Sequence, residues 1–193
     1  MPDSMATPQT DCGVSDETMV VQAAQEDPHG FAVLYDRYRD RVYTYLRART
    51  TSGEDAADLT QQVFLRAFDA LPQYRGGREA FAPWLFRIAR NAATDFYRRQ
   101  RATVPWDRVP TALQPVATLD LEAGALQGEA VTQLRALLAT LDDDTRELLA
   151  LRFGAALTVG EVAALIGKSE AATRKRLART LHALAARLEG GQP

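Results

Sequence analysis

The stretch that decides the fold is Thr158 to Leu188, which reads TVGEVAALIGKSEAATRKRLARTLHALAARL. Thr158, with Glu161 three residues later, matches the capping box that starts many helices. Gly167 suits the left-handed residue that ends such a helix, and Ser169 can cap a second one. The stretch therefore predicts a short helix, a tight turn and a longer helix.

The second helix of this hairpin combines an apolar stripe with a basic face. The stripe recurs at helical spacing and consists of Leu177, Leu181, Leu184 and Leu188. The basic side chains off the stripe or at its edge are Arg174, Lys175, Arg176 and Arg179. This arrangement is typical of a helix-turn-helix, whose second helix enters the major groove of DNA. An ordinary helical hairpin with a solvated basic face would show the same pattern, so the rest of the chain has to decide.

The composition favours an all-helical protein without metal or disulfide chemistry. Of the 193 residues, 46% are hydrophobic, and the alternation typical of strands is scarce. The single cysteine, Cys12, excludes an internal disulfide, and two histidines argue against a transition-metal site. No signal-peptide pattern and no apolar run of membrane-spanning length is found, so we expect a cytoplasmic protein.

The charge of the chain is distributed in blocks, although the net charge is only −2. Residues 84–101 hold five arginines and one aspartate, for +4, and residues 168–187 hold six Lys/Arg and one glutamate, for +5. Between them, residues 102–145 hold two arginines against seven acids, for −5. Two basic segments separated by an acidic one indicate two sites for a polyanion such as DNA.

Periodicity and breaker residues divide the chain into four segments. Residues 1–14 are polar and predicted to be disordered, and residues 102–127 are a Pro-containing acidic linker. The other two segments, 15–101 and 128–189, are predicted to be helical domains. The predicted helices cover about 15–25, from 31 onward, 52–70, 81–101, 129–139, 143–153 and the two helices of the hairpin.

Three motifs in the first helical domain carry a family resemblance. They are DLTQQVFLRAF at 58–68, YRGG at 74–77 and FAPWLFRIARN at 81–91. Together they closely resemble region 2 of bacterial sigma factors, and Leu141 through Leu188 resembles sigma region 4. A linker in place of a region 3 domain is similar to the extracytoplasmic-function (ECF) group of the sigma-70 family. The entry to the second hairpin helix departs from the family, which usually has Gly-Thr-Val where this chain has Ala171-Ala172-Thr173.

The resemblance implies a role for each of three surfaces. Contacts with core RNA polymerase fall to Asp58, Gln61, Gln62 and Arg66. The loop 74–81 is expected to hold a flipped base of the minus-ten element. The residues expected to contact this element are Tyr74, Arg75, Phe81, Arg87, Arg90, Asn91, Thr94 and Arg98. Contacts with the minus-35 element fall to Ser169, Thr173, Arg174, Lys175, Arg176 and Arg179.

The chain is thus expected to be a sigma factor that brings core RNA polymerase to promoter DNA through minus-ten and minus-35 contacts. We expect no catalytic residues, cofactor or metal, because the acidic pairs occupy helix starts and lack an accompanying His or Ser pattern. The resemblance also implies control by an anti-sigma factor. Two alternatives remain: a stand-alone helix-turn-helix regulator that uses no polymerase, and a sigma-like decoy that binds a regulator.

Overall fold

The computed structural model describes residues 12–50, 52–76, 80–103, 137–138 and 140–189. Throughout this part of the chain the regular structure is helical, which confirms the predicted fold class. The α-helices are α1 (Cys12–Glu26), α2 (Phe31–Arg47), α3 (Gly53–Ala70), α4 (Phe81–Thr103), α5 (Asp143–Leu149), α6 (Val159–Ile166) and α7 (Glu170–Glu189). Short 3₁₀ turns cover Pro28–Gly30 and Leu71–Gln73. Most of the predicted tail, linker and helix at 129–139 lies outside the described residues.

Helix ends are set by the local chemistry that the sequence predicts. The Ser52 hydroxyl accepts from the Asp55 amide at 3.0 Å and caps α3. The capping box of α6 is complete, since the Glu161 carboxylate accepts from the Thr158 amide at 2.7 Å and the Thr158 hydroxyl accepts in return at 3.2 Å. Gly167 ends α6 with φ at 66°, in the left-handed region. Helix α1 differs, because it begins at Cys12, upstream of the predicted cap Ser15.

The predicted helix over 143–153 changes character before its end. Helix α5 stops at Leu149 and continues as a π-helical turn over Ala150–Gly154, in which the Ala155 amide donates to the Ala150 carbonyl at 2.8 Å. Gly154 lies against α2, where an added Cβ would stand 3.5 Å from the Tyr45 backbone. This distance is ordinary van der Waals contact, so the π turn packs directly against α2.

The first half of the chain packs α1 to α4 around aromatic and aliphatic side chains. The largest fully buried ones on α2 and α4 are Leu34, Val42, Tyr45, Leu46, Phe81, Leu85 and Phe86. The second half buries α5, the π turn, α6 and α7 around Leu148, Leu151, Leu157, Val162, Leu177 and Leu184. These side chains form one continuous core, so the described part of the two halves is packed together.

The buried stripe of α7 is rotated from its predicted position. Leu177 and Leu184 are buried, but Leu181 is 40% exposed and Thr173 is only 2% exposed. A step of four residues turns a helix by about 40° beyond one full turn, so Leu181 lies about 80° from Thr173, whereas Leu184 lies about 20° from it. The prediction that Leu181 is buried is therefore wrong, and Thr173 takes a place in the stripe.

Replacing a core leucine and an exposed leucine separates packing from surface effects. Leu34→Ala, at 0% exposure, removes a side chain from the core and should lower the free energy of unfolding by about 2–5 kcal/mol. Leu65→Ala, at 66% exposure, should change it by less than about 0.5 kcal/mol. Urea unfolding followed by circular dichroism measures both. Equal losses would contradict the described packing of α2.

Candidate polymerase and DNA surfaces

One side of α3 is exposed and mixes polar with apolar side chains. Its polar members, all exposed, are Asp58, Gln61, Gln62 and Arg66. Leu65 and Phe68 lie on the same side and are 66% and 40% exposed. We call these six residues the α3 surface. Leu65 and Phe68 are three residues apart, so their exposed apolar side chains are neighbours on the helix, and an exposed apolar patch rimmed by polar residues can mark a surface that a partner covers.

The sequence analysis did not select Leu65, although a signal was present. Leu59, Val63 and Ala67 form the buried face of α3 at spacings of four residues. Leu65 follows Val63 by two residues, which places it about 200° around the helix, on the side opposite to the core. A large apolar residue off the buried stripe is the feature that could have identified it.

The loop between α3 and α4 ends in an aromatic cluster. The Tyr74 ring lies 5.8 Å from the Phe81 ring and 5.0 Å from the Trp84 ring, measured between centroids. Phe81 is buried and also packs against Tyr38 at 5.4 Å, so it supports the cluster from within. Tyr74 and Trp84 are half-buried and Arg75 is exposed. Residues 77–79 of the loop lie outside the described residues.

Four of the predicted DNA residues on α4 share an exposed face. They are Arg87, Asn91, Thr94 and Arg98, spaced along three turns. The Thr94 hydroxyl donates to the Arg90 carbonyl at 2.9 Å, and Arg98 pairs with Asp95 at 2.9 Å. Both are contacts within the helix, and they leave the face open to solvent.

Arg90 is placed differently from its neighbours on α4. Its Nε donates to Glu147 Oε1 at 2.7 Å and its Nη1 donates to the Leu165 carbonyl at 3.3 Å. The arginine side chain is 39% exposed and the glutamate 13%, and their hydrogen bond raises the pKa of Arg90. Arg90 thus joins α4 to α5 and α6, between the two halves of the chain.

Two further arginines reach from the first half of the chain to backbone oxygens of the second. Arg41 Nε on α2 donates to the Ala155 carbonyl at 2.8 Å. Arg49, just beyond α2, donates to the Asp143 carbonyl at 3.3 Å. With the Arg90–Glu147 pair, these bonds surround the place where Gly154 approaches Tyr45. We call this set of contacts the inter-half contact.

The basic face of α7 is narrower than the sequence predicts. Arg174, Lys175 and Arg179 are exposed, as is Ser169, and Arg174 forms an ion pair with Glu170 one turn earlier. This face can meet an anionic surface without rearrangement of the core. The other two predicted residues, Thr173 and Arg176, are directed elsewhere.

Thr173 and Arg176 bond to groups within the second half of the chain instead of lining the open face of α7. The buried Thr173 hydroxyl donates to the Ser169 carbonyl at 3.0 Å, which satisfies it inside the stripe. Arg176 Nη2 donates to Thr145 Oγ1 at 3.0 Å and to Asp142 Oδ1 at 3.2 Å, both at the start of α5. Asp142 caps α5 by accepting from the Thr145 amide at 2.9 Å. Its hydrogen bonds from Thr145, with the nearby charge of Arg176, lower the pKa of Asp142.

Neither metal ligands nor a membrane span emerge from the described ranges. No group of three or more His, Cys, Asp or Glu side chains among these residues is arranged to hold a metal ion. None of the helices in the same ranges is long and apolar enough to cross a bilayer.

Sequence profiles of two sigma-factor regions match the chain. "Sigma-70 region 2" matches residues 34–103, and "Sigma-70, region 4" matches residues 137–186. Helix α1 lies before the first match, whereas α2, α3, α4 and the hairpin lie within or mostly within the two matches.

Two solved structures have the same fold. They are CnrH in complex with the cytosolic domain of CnrY, with a TM-score of 0.66 at 23% identity, and the sigma factor RpoE in complex with the anti-sigma factor NepR from Bartonella quintana, with a TM-score of 0.67 at 21% identity. The first covers 91% of this chain and 99% of CnrH, and the second covers 84% of this chain and 98% of RpoE. At these identities the likeness shows the fold alone.

Curated relatives are similar over most of the chain. The ECF RNA polymerase sigma factor BldN of Streptomyces coelicolor is 29% identical over 167 residues, which are 86% of this chain and 63% of BldN, so the chain spans less than two thirds of that relative. The ECF RNA polymerase sigma factor SigD of Mycobacterium tuberculosis is 31% identical over 175 residues, 87% of this chain and 81% of SigD. The chain therefore belongs to the ECF group of the sigma-70 family of RNA polymerase sigma factors.

Proposed function

We propose that this sigma factor binds core RNA polymerase through the α3 surface and directs it to promoters through the faces of α4 and α7. The neighbouring exposed side chains of Leu65 and Phe68, among exposed polar residues, carry the proposal for polymerase binding. The separation of two basic faces on different helices supports two DNA contacts. As a sigma factor the chain is a regulatory subunit, and we propose that it has no catalytic activity of its own.

The half-buried pair Tyr74 and Trp84 supports a role in opening the minus-ten element. A base that leaves the DNA stack needs a stacking partner, and aromatic rings that are open on one side provide it. Phe81 has a supporting role in this proposal, because it is buried under the other two rings. The exposed Arg75 and the α4 face would hold the neighbouring phosphates.

At the minus-35 element we assign DNA contacts to Ser169, Arg174, Lys175 and Arg179. Arg176 and Thr173 act on DNA only through the position that they give α7, because their polar atoms bond to α5 and to the Ser169 carbonyl. The two similar structures are complexes with a partner protein, and the partner of RpoE is an anti-sigma factor. By analogy we propose that an anti-sigma factor also controls this chain.

Contact of Arg90 with DNA requires the inter-half contact to open. In the closed arrangement its donors are engaged by Glu147 and by the Leu165 carbonyl. We propose that binding to core polymerase separates the two halves and releases Arg90. An ion pair whose arginine is partly exposed to solvent contributes on the order of 1 kcal/mol, which binding to polymerase can offset.

The α3 surface is tested by Leu65→Ala. Removal of an exposed apolar side chain at the centre of a protein interface should weaken binding to core polymerase by about tenfold. Fluorescence anisotropy of labelled sigma titrated with its cognate core enzyme measures the affinity. Met19→Ala is a matched control, because Met19 is 62% exposed on α1, away from this surface. Equal affinities for both variants would contradict the assignment.

The basic face of α7 is tested by Arg174→Ala combined with Arg179→Ala. The double variant should weaken binding of the holoenzyme to promoter DNA by about tenfold or more, and it should lower the slope of affinity against salt concentration. Arg39→Ala is the control, since Arg39 is an exposed arginine on α2 paired with Asp40. Unchanged promoter binding would remove the minus-35 assignment and favour a decoy.

Run-off transcription distinguishes a sigma factor from a stand-alone regulator. A sigma factor should yield promoter-specific transcripts when it is mixed with core enzyme. Promoter binding by the chain alone that is as strong and as specific as binding with core enzyme would favour the regulator.

Opening of the inter-half contact is tested by Glu147→Gln. Loss of the carboxylate charge should shift the isolated chain toward the separated arrangement, because the amide attracts Arg90 less strongly. Energy transfer between dyes on α3 and α7 should fall, and affinity for core polymerase should rise by several-fold. Asp40→Asn removes a surface ion pair outside the contact and should change neither. An unchanged dye distance in Glu147→Gln would contradict the proposal.

A further inference from the structure

Helix α1 contacts the backbone of the aromatic loop through the side chain of Gln25. Gln25 Nε2 donates to the Leu71 carbonyl at 2.9 Å and to the Tyr74 carbonyl at 2.8 Å. Leu71 begins the 3₁₀ turn Leu71–Gln73 and Tyr74 follows it, and the Tyr74 amide closes the turn by donating to the Leu71 carbonyl at 3.0 Å. One amide group thus fixes both ends of the turn that leads into Tyr74.

Helix α1 is itself fixed firmly to the first half of the chain. Val21 and Ala24 are buried in the core. Gly30 lies so close that an added Cβ would stand 3.0 Å from the Ala23 carbonyl oxygen. The Tyr38 hydroxyl donates to Glu17, and burial, followed by this bond, raises the pKa of Tyr38, so the phenol keeps its proton. Gln25 therefore projects from a rigid support.

The position of the Tyr74 backbone, together with the contacts of its ring, sets where the Tyr74 ring lies. The ring meets Trp84 at 5.0 Å and Phe81 at 5.8 Å between centroids, and Tyr74 remains half-buried. A shift of the Tyr74 carbonyl would move the ring relative to Trp84. Helix α1, from which Gln25 extends, precedes the region 2 match at residues 34–103.

We propose that Gln25 is a positioning residue for the capture of an unstacked base of the minus-ten element. This inference rests on the proposed function of the loop. By holding the Leu71 and Tyr74 carbonyls, Gln25 keeps Tyr74 and Trp84 in a fixed arrangement before DNA arrives. A platform that is already ordered does not lose backbone entropy when the base stacks on it.

The variants Gln25→Ala and Gln25→Glu test the two hydrogen bonds. Alanine removes the donor, whereas glutamate also places a carboxylate against two carbonyl oxygens, so the glutamate variant should be the weaker binder. The matched controls are Gln22→Ala and Gln22→Glu, since Gln22 is exposed on the same helix and the glutamate control introduces the same charge.

The measurement uses holoenzyme assembled from full-length chain and its cognate core polymerase. The probe is a single-stranded nontemplate oligonucleotide spanning the minus-ten element of a promoter that the wild-type holoenzyme transcribes. Gln25→Ala should weaken binding of this strand by about tenfold, and Gln25→Glu should weaken it further. Affinity for core polymerase, and for a duplex with the minus-35 element alone, should stay within twofold of wild type.

The outcomes separate this inference from the function on which it rests. If the wild-type holoenzyme binds no minus-ten strand, the proposed function of the loop fails. If wild type binds and Gln25→Ala matches it, or if the Gln22 variants weaken binding as much, the role of Gln25 is overturned. A parallel loss of core affinity and single-strand affinity would show a general folding defect and would also overturn it.

Discussion

The packing of the π turn and α5 against the first half of the chain is the contact on which the arrangement of this sigma factor depends. An added Cβ at Gly154 would stand 3.5 Å from the Tyr45 backbone, in ordinary van der Waals contact, so the hydrogen bonds of Arg41 and Arg90 define this contact more than the lack of a side chain does. Of the three arginines in the inter-half contact, Arg41 and Arg49 donate to backbone oxygens of the second half, and Arg90 pairs with the Glu147 carboxylate. Such a contact fixes orientation more than it adds stability.

The same contact explains why one basic residue differs from its neighbours. Arg87, Asn91 and Arg98 face solvent, while Arg90 faces the second half of the chain. Under the proposed function, a free chain in this arrangement presents an incomplete DNA surface on α4. The pairing of Arg90 with Glu147 also offsets one positive charge beside this face.

The sequence predicted hydrogen bonds between residues close together in the chain, but it did not predict those between residues far apart. The caps at Ser52 and Thr158 and the left-handed Gly167 follow from residues within three or four positions, so the helix ends were predicted well. Arg176 bonds to Asp142 and Arg90 to Glu147, across 34 and 57 positions, and no periodic pattern contains these pairs. The burial of Thr173 instead of Leu181 depended on the rotation of α7, which only packing decides. The roles of the site residues in binding stay predictions.

That rotation has a consequence for how closely α7 can approach a base pair. With Thr173 turned inward, the first turn presents Ala171 and Ala172 outward, and both are exposed. Their methyl groups are short and donate no hydrogen bond, so the helix backbone can settle nearer the floor of a groove than a turn with long side chains permits. An alanine methyl suits the methyl group of thymine. Discrimination between base pairs at those positions would then depend on shape and apolar contact. The arginines further along α7 would set the position of the helix along the DNA through contacts with phosphates.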